Sequence, residues 1–385
     1  MMHEAAVAEQ ERTADTEIQN VLLAMAAGAS RAPSGDNLQP WTFVVDLEQR
    51  CLEVWLNDRS DRSVLNSAQR MSRLGCGAAL ECAVCIAESA GWSTDVHWDG
   101  GPELRLARIA LTDFDPSRAD GTLERLVAAR TTNRQCYDGA TLPSQTLATI
   151  AAATPQRDGA SVRWICDRAQ MDALARLAMR ADVLLYGERS MLRAFLDNVR
   201  FDLPPSAPAD RGLSLGTLGA SAFELLTLRF LKLTRGALFN CTPGPRIFAR
   251  YSRRLIRSSS GLCVVSTHGA EPADIQGGRA MLRAWLALTA QGLAVQPMMA
   301  AVMMAHTLDS GAPELIQSIG LKKLRAFVAD FRATLAELGV RGTPQFMLRF
   351  GNAPAAPVRS GRLPLSELLR TGAEPASIQG STPSR

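Results

Sequence analysis

Arg130, Thr132 and Arg134 alternate along Arg130-Thr131-Thr132-Asn133-Arg134, just after the short helical run Leu123–Ala129. An extended backbone would send all three side chains to one side. Two guanidinium forks and a hydroxyl can grip a phosphate through several charge-assisted hydrogen bonds. On spacing alone, a solvated basic turn after a helix accounts for the pattern better. A second stretch, Arg31-Ala32-Pro33-Ser34-Gly35-Asp36-Asn37-Leu38-Gln39-Pro40-Trp41-Thr42-Phe43-Val44-Val45, runs from a small-residue turn into an apolar strand. Pro, Ser, Gly and Asn allow tight backbone conformations and leave N–H groups free for a ligand. Trp41 and Phe43 alternate with their neighbours as a strand start does. An ordinary helix-to-strand turn is the plain alternative.

Other chemistry is sparse. No Ser-His-Asp set or paired-carboxylate site is evident. The four histidines, His3, His97, His268 and His306, are scattered singly, so no metal is expected. Cys82 and Cys85 form a C-x-x-C inside an apolar helical run, which reads as a packed helix face. Met298, Met299, Met303 and Met304 read as core filling before they read as a substrate wall.

The loop string resembles the P-S-x-x-N-x-Q-P-W-x-F segment of the flavin-dependent nitroreductase family. The resemblance implies that Pro33, Ser34, Gly35, Asn37 and Gln39 lie against the edge of an FMN ring. Arg130, Thr132 and Arg134 match the family's R-x-S-x-R helix end, with Thr for Ser. By resemblance they hold the FMN phosphate and the pyrimidine edge, and Arg134 is the cation on the N1/O2 side. A second arginine near the C-terminus completes such a phosphate site, and both Arg359 and Arg362 fit. Gln296, Pro297 and Met298 stand where the family's loop along flavin N5 runs. The implied activity is FMN-dependent oxidation of NAD(P)H, with hydride passing through N5 in a ping-pong cycle to an unknown acceptor. A lid-covered flavin storage protein with little turnover is the alternative, as is a specialised biosynthetic flavin dehydrogenase.

The elements that must position these residues repeat. A helix around Ile18–Gly28, a loop and a strand to Asp46 are echoed by Leu142–Ala153, Thr154–Val162 and Arg163–Cys166. Gly77–Gly91 and Gly278–Gly292 both read as helices apolar nearly all round, and such helices are central. Apolar strands follow at Leu106–Leu111 and Phe346–Phe350. The expected fold is α+β and nitroreductase-like, with two related lobes in one chain forming a pseudo-dimer. The lobes span residues 17–114 and 122–369. An insertion at about 195–260 lies in the second, residues 1–16 are flexible, and 370–385 are disordered. The loop sits in the first lobe and the arginines in the second, so face to face they complete one site while its symmetry mate is degenerate. This resembles the single-chain, two-lobed, Acg-like branch of the family. A monomer then suffices for one site, and further oligomers are left open.

Composition agrees. A chain of 385 residues can bury one large core or two ordinary ones. A net charge of +4 gives no reason to invoke nucleic acid. The charge is uneven, with eight Arg or Lys and no acid between Leu225 and Ala270. The stretch Leu213–Leu233 is interrupted by Glu224, Arg229 and Lys232 and reads as lid helices, not a membrane span. Free thiols and the lack of an apolar signal core in residues 1–16 point to the cytoplasm.

Overall fold

Trp41 and Phe43 are fully buried on one face of β1 (Trp41–Asp46), the strand that the loop enters. In the computed structural model, which describes residues 2–99, 104–154, 159–236, 239, 244–269 and 272–370, β1 belongs to the first of two matching units. Helix α1 (Met2–Ser30) precedes it, and β2 (Cys51–Leu56), α2 (Arg70–Ser89), β3 (Trp92–Trp98) and β4 (Arg105–Phe114) follow. The four strands form one antiparallel sheet ordered β1-β2-β4-β3. Helix α1 is already helical at Met2, so residues 2–16 of the stretch expected to be flexible join it.

The second unit opens after α3 (Thr122–Ala129) with α4 (Ser144–Ala152) and β5 (Ala160–Ile165). Next come α5 (Arg168–Tyr186), α6 (Arg189–Asn198), β6 (Val199–Arg200), β7 (Leu213–Ser214), α7 (Ala222–Leu233) and α8 (Gly244–Arg257). Then β8 (Gly261–Thr267), α9 (Ala273–Ala290) and β9 (Ala294–Pro297) follow. Last are α10 (Ala300–Ser310), α11 (Pro313–Ile319), α12 (Leu321–Glu337), β10 (Thr343–Gly351) and α13 (Leu365–Leu368).

Its sheet runs β5-β8-β10-β9, again first, second, fourth, third strand of the unit, and antiparallel throughout. Helices α2 and α9 each fall between the second and third strands. The internal echo is thus a repeated topology, and the α+β, two-lobed expectation holds. The chain between β5 and β8 has no counterpart in the first lobe, where residues 47–50 make the same connection. It therefore starts at α5, upstream of the expected residue 195. A second block, α10 to α12, separates β9 from β10. The expected disorder of the tail falls on residues 371–385, outside the described residues.

The lobes meet through α2 and α9, as the all-round apolar helices predict. A Cβ on Gly77 would stand 2.2 Å from the Ile275 carbonyl oxygen, and one on Gly278 2.1 Å from that of Leu74. Only glycine lets the two backbones cross this closely. Beside the crossing, Glu81 is fully buried between Arg279, 2.6 Å away, and Arg283, which also reaches Glu88 at 2.7 Å. The second lobe also reaches back through its end. Leu369 bridges Phe43, and the Arg370 N–H donates to the Phe43 carbonyl at 2.8 Å.

Candidate functional site

The turn before β1 carries left-handed backbone at three of four successive residues, with φ of 45° at Asp36, 58° at Asn37 and 52° at Gln39. Such conformations cost about 1–3 kcal/mol each and persist only where surroundings enforce them. The Ser34 hydroxyl accepts from the Gln39 N–H at 3.0 Å and closes the turn. Asn37 is buried, and its Nδ2 donates to the carbonyls of Ala209 (3.2 Å), Asp210 (3.1 Å) and Gly361 (3.3 Å). Its Oδ1 accepts from Arg362 at 2.9 Å. Gln39 donates to the Asp210 carbonyl at 2.6 Å and accepts from the Leu363 N–H at 3.0 Å. The loop of the first lobe is thereby stapled to two segments of the second.

Arg130 leaves α3 at its C-terminal end, where the backbone turns extended. Thr132 then bridges Val295 of β9, and the Asn133 N–H donates to the Val295 carbonyl at 2.9 Å. This pairing lays Arg130–Arg134 beside Gln296, Pro297 and Met298.

One cavity of about 1260 Å³ collects the parts. Pro33, Ser34, Gly35, Asn37, Arg130, Thr132, Arg134, Gln296, Pro297, Met298, Arg359 and Arg362 all line it. Gln39 does not; its carboxamide is spent on the staple.

Arginines crowd one end. Arg130 is 5% exposed, donates to the Arg31 carbonyl at 2.7 Å and lies 4.7 Å from the Trp285 ring centre. Arg362 donates to the carbonyls of Arg31 (3.0 Å), Ala32 (3.1 Å) and Gly361 (2.7 Å). Arg359 reaches the Arg130 carbonyl at 3.0 Å. Burial, followed by repulsion among these guanidiniums, pulls Arg362 down to about 9. Burial likewise lowers Arg130 to about 10. The Nε atoms of both are buried without a hydrogen-bond partner. Among the described residues none of Arg31, Arg130, Arg359 and Arg362 stands in an ion pair. Buried cations without carboxylates are costly. An anion relieves the cost.

Sequence reasoning passed over several residues here. Arg31 sits two residues before Pro33, the first of the selected loop residues, and opens the same string. Arg349 is fully buried, holds the Gln296 side chain at 2.7 Å and the Gln135 carbonyl at 2.6 Å, and stacks 3.8 Å from the centre of Tyr137. Nothing in an apolar strand signals such a clasp. Asp36 and Asp182 also face the cavity. Burial raises Asp36 despite the bond from Asn198 at 2.9 Å. Burial raises Asp182 to about 7, against a hydrogen bond with Ser252. Arg134 donates to the Thr217 carbonyl at 2.9 Å, and its own carbonyl accepts from Tyr251 at 3.3 Å, so the insertion holds it in place.

No family model matches the chain. It is 30% identical to the uncharacterised protein MT1398 of Mycobacterium tuberculosis, over 91% of this chain and 48% of that protein. It is also 30% identical to "Putative NAD(P)H nitroreductase Rv3131" of the same species, over 39% of this chain and 44% of that one. The chain spans about half the length of the curated relatives it matches. Among solved structures it is similar to the FMN-dependent nitroreductase NfnB of Mycobacterium smegmatis in complex with NADPH. That match has 19% identity and a TM-score of 0.36, over 66% of this chain and 98% of that one. A nitroreductase with bound FMN from Bacteroides fragilis matches at 17% identity and a TM-score of 0.30, over 68% and 98%.

Proposed function

We propose that this chain is a single-chain, two-lobed member of the flavin-dependent nitroreductase family, an FMN-dependent NAD(P)H oxidoreductase with one site per chain. The observation that carries the reading is the buried arginine end of the cavity, facing the strained loop of the other lobe. The residues fit the cofactor. Two orphaned guanidine Nε donors and uncompensated positive charge suit a phosphate monoester. The apolar and backbone-rich walls at Pro33–Gly35 and Gln296–Met298 suit a flat ring system. Bound FMN would supply hydride transfer through N5, taking hydride from NAD(P)H and passing it to an acceptor in a ping-pong cycle.

The protein's part is placement and charge. Arg130, Arg359 and Arg362 bind the phosphate, with Arg31 adding to the field. Arg134 keeps a cation on the pyrimidine side, where negative charge develops on reduction. Its bond to the Thr217 carbonyl fixes that guanidinium and takes part of its hydrogen-bonding capacity. Asn37 and Gln39 hold the loop against the second lobe through their side-chain bonds. The acceptor is a small molecule, and the reading places the protein in the cytoplasm. Among the described residues no helix is long and apolar enough to cross a membrane.

One observation favours the storage reading. Helices α7 and α8 wall the cavity, so a bound flavin is covered. Anaerobic mixing of the FMN-loaded protein with NADPH or NADH separates the two. Bleaching near 450 nm, reversed by an added acceptor, supports the oxidoreductase. Retained FMN that neither donor bleaches establishes storage. A protein that takes up no FMN overturns both.

A further inference from the structure

Helix α7 leaves its apolar side bare. Phe223, Leu226, Phe230 and Leu233 are 78, 65, 58 and 83% exposed. They recur at spacings of three, four and three, so they form one stripe along the helix. The opposite side is satisfied, since Leu228 and Leu231 pack into the small core that α7 shares with α6. A capping box from Ser221 and Glu224 fixes the N-terminal end. The stripe is thus a formed surface of an ordered helix.

Cations frame it. Arg229 is exposed on the same helix, four residues before Leu233. At the C-terminal end, Arg189 and Arg193 of α6 both donate to the Arg235 carbonyl, at 3.3 and 3.4 Å. Three exposed arginines therefore converge two residues beyond Leu233. The acids of these two helices are engaged: Asp197 pairs with Lys232 at 2.6 Å, Glu224 closes the capping box with Ser221, and Glu188 accepts from the Ser318 hydroxyl.

We propose that α7 docks on an anionic bilayer surface, with its apolar stripe among the acyl chains and the flanking arginines on the lipid phosphates. Apolar side chains in a basic frame are the pattern of interfacial helices, in which buried apolar area and attraction to anionic lipid act together. A soluble acidic partner would use the arginines and leave the stripe wet. A second copy would set two equally basic surfaces against each other. Phe223 and Phe230 line the cavity as well as being exposed, so they stand at its rim. Docking therefore brings the cavity mouth to the lipid.

Flotation of the full chain with vesicles tests this, without reference to flavin or turnover. Vesicles of phosphatidylcholine with about one-third phosphatidylglycerol should carry the protein at least about tenfold better than phosphatidylcholine alone, and 0.5 M salt should release most of it. L226D/L233D, which changes exposed residues outside the cavity lining, should abolish flotation with an unchanged circular dichroism spectrum. R189Q/R193Q should weaken it several-fold and flatten its salt dependence. Failure to float on either vesicle overturns the proposal. So does equal flotation on both, or flotation that L226D/L233D leaves intact. A dimer in sedimentation without lipid, dissolved by L226D/L233D, would assign the stripe to a second copy and also overturn it.

Discussion

A guanidinium buried without a carboxylate is held at a cost, and Arg130 and Arg362 both carry that cost at one end of the cavity. Charge-assisted contact with a phosphate contributes about 1.5–3 kcal/mol. Arg130→Ala should therefore weaken FMN binding by roughly ten- to a hundredfold. Arg118→Ala, at an exposed arginine paired with Asp115, should leave it unchanged. Fluorescence titration of the flavin-free protein measures both, and equal affinities would remove the phosphate from this end. Asp182 makes a different kind of prediction. Burial raises its carboxyl from the ordinary 3.8 to about 7, so the folded protein keeps a proton that the unfolded chain has lost. Its contribution to stability is whole below about pH 3.8, falls as the pH rises, and is gone above about 7. Thermal melts of Asp182→Asn should thus gain on the parent protein between pH 5 and 7.5 and gain no further above that. A constant difference across this range would show that Asp182 ionises normally.

Elements act here through what they tie together. The sequence marked Asn37 as part of a candidate ligand loop, yet its amide bonds the 209–210 and 361 carbonyls. Composition shows that a turn is tight. It does not show which partner the turn grips, because partners 172 and 324 residues away carry no local pattern. The same limit explains β3, whose largely half-exposed edge residues lack the apolar run that revealed β4. It also explains Arg349, a charge inside a strand that reads as buried. The periodic parts were readable: α2 and α9 are apolar all round, and the alternation in β1 marks its buried face. Asn37→Ala removes an amide whose two hydrogens are shared among three carbonyls, at about 0.5–1.5 kcal/mol per bond. The 205–213 segment should then exchange its amide hydrogens faster while α2 and α9 keep theirs. Hydrogen exchange followed by mass spectrometry reads this. Uniform acceleration across the chain would mean that the staple serves global stability and not the insertion.

At the scale of the molecule, two copies of one topology have been joined and then made unequal. The first lobe keeps the strained loop before β1 and short connections. The second keeps the arginines and gains the helices that roof the cavity. The joint is the α2–α9 crossing, where reciprocal glycines and the Glu81–Arg279–Arg283 cluster allow one register. A buried ion cluster adds little net stability against apolar substitutes, but breaking it strands charge at a cost of about 3–5 kcal/mol. Glu81→Ala should consequently lower the melting temperature sharply, whereas a joint apolar replacement of Glu81, Arg279 and Arg283 should recover much of it. Since the crossing lies within one chain, the proposed site should need no partner. Flavin released by denaturation should approach one FMN per chain and never two, because the first lobe offers no arginine end. Dilution should leave that flavin bound. If sedimentation shows monomers while flavin is lost in step with dissociation of a dimer, the site spans two chains, and the α2–α9 joint is not what completes it.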